Sequence, residues 1–168
     1  MLREHARVLQ AIRLAGEING RKKLQKMIYI AKQLSFPFAE KFQFHFYGPY
    51  SEELTVRVEE LVNMGFLEEV IQKRGNYSQY HYRITESGNH FLKTYRLPVP
   101  PLLEDCLQDM NEKSSRFLEL VSTILFFQDL DEKDIVEKVQ TVKARQHYTD
   151  EEIAAAFQYI DELKKKIQ

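Results

Sequence analysis

Residues 61–88 read LVNMGFLEEVIQKRGNYSQYHYRITESG, and their pattern decides how the first half of the chain folds. The end of an amphipathic helix meets a glycine stop at Gly65. A strand follows, then a Gly75-Asn76 tip, a second strand, and a helix start at Thr85. In the second strand Tyr80, Tyr82 and Ile84 alternate with Gln79, His81 and Arg83, so the aromatic set is expected on one face and the polar set on the other.

Upstream, Leu54, Val58, Leu61 and Val62 mark a third helix, with Ser51 as its cap and Glu52 and Glu53 at its positive end. Val8, Leu9, Ile12 and Ala15 recur at helical spacing in a first helix, as do Leu24, Met27, Ile28, Ala31 and Leu34 in a second. Three helices and a hairpin follow the order of a winged helix. Between the second and third helices lies FQFHFYGPYSEEL, residues 42–54. It predicts a strand over 42–47 with Phe42, Phe44 and Phe46 on the core face, broken at Gly48-Pro49. Tyr47 and Tyr50 fall at the edge of any contact surface built there.

The proline cluster LPVPP at 97–101 marks a boundary. Residues 1–97 hold 15 Lys and Arg against 10 Asp and Glu, whereas residues 98–168 hold 9 against 15. The reading is a basic winged-helix-like module over 1–97 and an acidic helical module over 98–168. Opposite charge suits either different partners or mutual docking. In the second module Phe117, Leu120, Val121, Ile124, Leu125 and Phe127 make a central helix. Asp131 opens the next helix, and Thr149-Asp-Glu-Glu152 is a capping box for the last. The fold class is α+β, mostly α, the tail a helical hairpin or mini-bundle that covers the first module or pairs two copies of the chain.

No apolar run approaches the roughly 20 residues of a membrane span, and the amphipathic start lacks a signal-peptide pattern, so a cytoplasmic protein is expected. The single Cys106 lies on an apolar helical face and reads as a buried hydrophobe. No histidine pairing, glycine-rich phosphate loop or convergent carboxylates are found, so no catalytic residue, metal or cofactor is expected.

Two surfaces compete for macromolecular binding. Arg21, Lys22, Lys23 and Lys26 with Lys73, Arg74 and Tyr77 are where a winged helix would meet DNA phosphates. The third helix argues against that use. It presents Glu52, Glu53, Glu59 and Glu60 against the single Arg57, and carboxylates repel phosphate. Tyr47, Tyr50, Glu52, Glu53 and Arg57 are the corresponding candidates for protein contact.

KLQKMIYIA at 23–31 and FYGPYSEEL at 46–54, taken as a pair, resemble the YwgA-like family over the whole chain. Over the first module they resemble, more distantly, SocA-like (Panacea) antitoxin domains. The first family implies no particular activity. The second implies action by protein contact, on a toxin or as a proteolytic adaptor, and neither supplies catalytic residues. The expected function is therefore a non-enzymatic regulator or adaptor that binds a protein. The alternative is a DNA-binding transcriptional regulator.

Overall fold

The computed structural model describes residues 2–168, with the side chain of Arg74 outside the described residues. The fold is α+β and mostly helical. Helices α1 (Arg3–Ala15) and α2 (Arg21–Gln33) flank a short strand β1 (Ile18–Asn19). Strands β2 (Gln43–His45) and β3 (Gly48–Tyr50) come next, then α3 (Glu52–Asn63) and the long hairpin β4 (Leu67–Arg74) and β5 (Tyr77–Ile84). The rest is helical: α4 (Glu86–Tyr95), α5 (Leu103–Asn111), α6 (Ser115–Phe126), α7 (Glu132–Val142) and α8 (Asp150–Ile167). Strand β1 pairs antiparallel with β5, and β5 with β4, giving a sheet of order β1-β5-β4.

Caps set most of the helix starts, because the first-turn amides lack intrahelical acceptors. Ser51, Thr85, Ser114 and Asp131 each accept a hydrogen bond from a first-turn amide. Thr149 and Glu152 form a reciprocal capping box, and Glu152 also takes a bidentate hydrogen bond from Arg116 (2.8 and 3.0 Å). Those donors hold the Glu152 carboxyl at about 2, far below its ordinary value.

Among the described residues a single hydrophobic cluster runs across the proline segment. Helix α5 lies along α1, and α6 lies along α2. Every residue of α6 from Leu118 to Leu125 is buried, and α2 is buried from Leu24 to Ala31. Each fully buried large apolar side chain contributes roughly 1.5–3 kcal/mol, so the two halves are held together mainly by this shared core. Polar stitches fix the register. Lys23 donates to Asn111 O (2.5 Å), and Arg7 and Gln10 reach the carbonyls of Pro98 and Leu97 (2.9 and 3.0 Å). No helix of the described residues is long and apolar enough to cross a membrane.

Two details correct the sequence reading. Gly48-Pro49 is not a break after one strand but the second strand of a tight hairpin, with Phe44 opposite Pro49 and His45 opposite Gly48. The reversal occurs at Phe46-Tyr47. Phe42 and Phe44 pack inward, against Tyr29 (5.0 Å between ring centroids) and Phe126 (5.1 Å) respectively. Phe46 sits in the turn and is 65% exposed. A proline on a two-stranded ribbon forfeits little, because one of its edges has no partner strand. His81, expected on the polar face of β5, is buried; β1 pairs with β5 beside it, and Glu17 Oε1 lies 2.9 Å from His81 Nδ1.

Candidate functional site

The N-terminal turns of α2, the β2–β3 hairpin and α3 converge beside β5, and a cleft of about 170 Å³ opens between them. Its floor is apolar: Leu24 from α2, Leu54 and Val58 from α3, and the ring of Tyr82 from β5. Tyr47 and Tyr50 form the hairpin side. Arg21, Lys22, Glu59 and Glu69 stand around the rim with both signs of charge.

Sequence-local rules place each group. Ser51 caps α3 (Leu54 N to Ser51 Oγ, 3.1 Å), which directs the next two turns so that Leu54 and Val58 face the cleft. Gly48 has φ +92°, a region L side chains rarely adopt, and a Cβ there would meet Thr123 and Lys26 at 3.5–3.6 Å. The backbone strain rather than space therefore selects glycine. Tyr50 Oη lies 2.8 Å from Thr55 Oγ1, and the Tyr50 ring is 5.0 Å from that of His45. Arg21 donates to Tyr82 Oη (3.1 Å) and lies 3.6 Å from the centroid of Tyr80. Burial pushes the Tyr82 phenol above its ordinary value, so it stays a neutral acceptor for Arg21. Lys22 Nζ lies 3.4 Å from the centroid of Tyr47.

Behind this cleft, α2 grips the hairpin. The Gln25 amide donates to Ser51 O (3.0 Å) and accepts from Ser51 N (2.9 Å). Lys26 donates to Pro49 O (2.8 Å), and Lys143 donates to Phe46 O (2.8 Å). Glu119 lies 3.3 Å from Lys143.

The candidate residues divide clearly. Arg21 and Lys22 are exposed at the cleft rim, and Lys73 and Tyr77 are exposed on the β4–β5 hairpin. Lys23 and Lys26 are not surface cations of a phosphate-binding face. Lys23 is bound to Asn111 O, and Lys26 is only 2% exposed. Position 30 carried the signal: Ile30, one helical turn from Lys26, shows that this face of α2 is apolar and covered. For Arg74, the side chain lies outside the described residues. Among the protein-contact candidates, Tyr47 and Tyr50 line the cleft and Glu52 is exposed. Glu53 accepts from Lys41 N (2.8 Å), and Arg57 pairs with the buried Glu40, so both tie the 34–42 loop to α3. Gln25, Thr55, Glu69 and Tyr82 complete the site without having been singled out. They become neighbours only when α2, α3 and β5 pack.

No family model matches the chain. Over 165 residues it is 56% identical to a Bacillus subtilis (strain 168) protein named Uncharacterized protein YwgA, covering 98% of this chain and 99% of that protein. The chain belongs to the YwgA family. The two motifs that suggest membership are, in this YwgA-family fold, the two halves of one contact. Gln25 and Lys26 of KLQK hold the backbone of Pro49 and Ser51 in YGPYS, and Tyr29 packs edge-on against Phe42.

Lys26 also gives the site a pH signature. Burial, with Lys143 and Lys22 nearby, brings its ammonium down to about 8 despite Glu119. The folded value lies below the unfolded one, near 10.5, so between those pH values the unfolded chain holds a proton the native state has released. Stability from this group therefore rises with pH through that window. Between about pH 7.5 and 9.5 the native protein is expected to gain about 2 kcal/mol relative to Lys26→Met, read by urea unfolding of both at each pH. Buried tyrosines are common to both proteins and cancel in the difference. Parallel pH profiles would contradict the assignment.

Proposed function

We propose that the chain is a non-enzymatic adaptor or regulator that binds a protein partner through the cleft between α2, α3 and the β2–β3 hairpin. The observation that carries this reading is the composition of the surface beside the cleft. Tyr47 is exposed on the cleft wall with Phe46 beside it (4.9 Å between ring centroids), and Glu52, Val56 and Glu59 are exposed on α3. Exposed aromatic and aliphatic groups around a small apolar pocket, rimmed by charge, are the makeup of a protein-docking patch. The same carboxylates repel a phosphate backbone. The resemblance to SocA-like antitoxin domains, with their action by protein contact, points the same way.

A second reading has its own support. Apart from the β2–β3 hairpin inserted between α2 and α3, the order α1-β1-α2-α3-β4-β5 fits a winged helix over the first 95 residues, and the exposed Lys73 and Tyr77 lie where a wing would touch DNA. Affinity capture from native lysate, with and without nuclease, separates the two. The expected result is a protein captured equally in both, with Tyr47→Ala plus Val56→Glu lowering recovery more than about tenfold at unchanged circular dichroism. Saturable binding to duplex DNA at about 50 mM salt, lost on Lys73→Glu, would instead establish the DNA reading.

A further inference from the structure

Lys22, Lys26 and Tyr47 are walls of two cavities. The second holds about 250 Å³ and is walled on the side of the C-terminal half by Ser115 and Arg116 at the start of α6 together with Glu119, Gln146 and Tyr148. Its charges do not balance. Arg116 is paired with Glu152 (2.8 Å), and Lys143 with Glu119 (3.3 Å). Among the described residues, no carboxylate lies within ion-pair distance of Lys22 or of Lys26. Lys26 has a single acceptor, Pro49 O, for its three N–H groups, and Lys22 has the Tyr47 ring. The cavity walls thus carry two unmatched ammonium groups, one of them buried. A concave, partly dry site with unmatched charge of one sign concentrates potential and draws a counter-ion of matching charge.

We propose that this cavity binds an oxyanion of the phosphate class, free or as a small monoester, held by Lys22 and Lys26 with the first turn of α6. Two unmatched positive charges suit a dianion. Donors arriving from two directions, α2 and α6, suit a tetrahedral group better than a planar carboxylate. The first-turn amides of α6 add positive potential on the same wall. Glu119, the one unfavourable group in the lining, is already neutralised: its Oε2 is met by Lys143, Gln146 and Tyr148 at 3.3–3.4 Å. This site does not depend on the docking reading.

The test is an amide NMR titration of the whole chain near neutral pH with inorganic phosphate and, separately, AMP, at ionic strength held constant with sodium chloride. The expected result is saturable shifts at Lys22, Ser115, Arg116 and Tyr148. Affinity should fall at least about tenfold in Lys22→Ala and return in Lys22→Arg. Lys22 is exposed, so these variants leave the core intact. Inorganic phosphate bound more tightly than AMP would identify the free anion, and the reverse order a monoester. Shifts that grow without saturating, that sodium chloride reproduces, or that are unchanged in Lys22→Ala would overturn the proposal.

Discussion

Gly88→Ala is expected to destabilise the protein by about 3 kcal/mol, although the position is helical and alanine is ordinarily the better helix former by about 1 kcal/mol. Gly88 lies in the first turn of α4, where Thr85 accepts its amide (3.0 Å). A Cβ there would stand 2.2 Å from Phe66 O and 2.7 Å from Ile84 Cγ1. The first of these is backbone, and it is fixed: Phe66 O accepts from Thr85 N (3.1 Å), while Thr85 Oγ1 donates to Gly65 O (2.6 Å). To admit the methyl group α4 must move off the α3–β4 turn. That movement strains the hydrogen bonds at Thr85 and the stacked pair Phe66–Phe91, whose centroids are 4.7 Å apart. Because the clash is with backbone, overpacking is taken at the upper end, about 3 kcal/mol; a weakened hydrogen bond of about 1 kcal/mol and the helical gain of about 1 kcal/mol then cancel. For a chain of this size the melting temperature should fall by about 6–12 °C. Ser87→Ala, one residue earlier and exposed, should change stability by less than about 0.5 kcal/mol. A Gly88→Ala protein that melts at or above the parent temperature would show that α4 docks less tightly than the structure has it.

Gly88 also marks what a linear reading can reach. The helices were legible because periodicity and caps act over a few residues. Leu24, Met27, Ile28 and Ala31 announce α2, and Thr149 with Glu152 announces α8. The shared core across the proline segment was legible only in part. The opposite charges of the halves allowed docking, whereas the close fit of α6 on α2 is a matter of side-chain shape. The hairpin was misread for a physical reason. Gly48-Pro49 carries the strongest local turn propensity, yet the chain turns one step earlier, where Lys143 and Lys26 take up the carbonyls of Phe46 and Pro49. Those two lysines, one inside α2 and one just past the end of α7, are far apart in sequence, and each looks like a surface cation by composition. For Lys26 the local sign of cover is Ile30, one turn on; what covers it, α6 with its Glu119, is remote in sequence.

Gln25→Ala is the second large effect, and it reaches from stability to the site. The Gln25 side chain stands on the buried face of α2 and exchanges two hydrogen bonds with the backbone of Ser51, the residue that joins the hairpin to α3. Ser51 itself is completely buried. Its carbonyl keeps another partner in Thr55 N (3.2 Å), but without Gln25 its N–H has no acceptor and no access to water. An orphaned buried donor costs about 1–3 kcal/mol, and the missing side-chain atoms leave a void on top of that, so about 3 kcal/mol is expected from urea unfolding. Gln25→Leu separates the two contributions, because it restores most of the volume and leaves the N–H unmatched; it should recover about 1 kcal/mol and no more. The consequence for the cleft follows from geometry. Ser51 sets where α3 begins, and Tyr50 and Thr55 meet across it at 2.8 Å, so the floor and hairpin side of the cleft lose their common anchor. Partner capture by Gln25→Leu should fall by more than its modest loss of folded protein explains, measured at a temperature where circular dichroism shows both proteins folded. If capture by the folded variant were undiminished, the hairpin and the start of α3 would not be part of the contact surface, and the docking cleft would have to be sought elsewhere on the molecule.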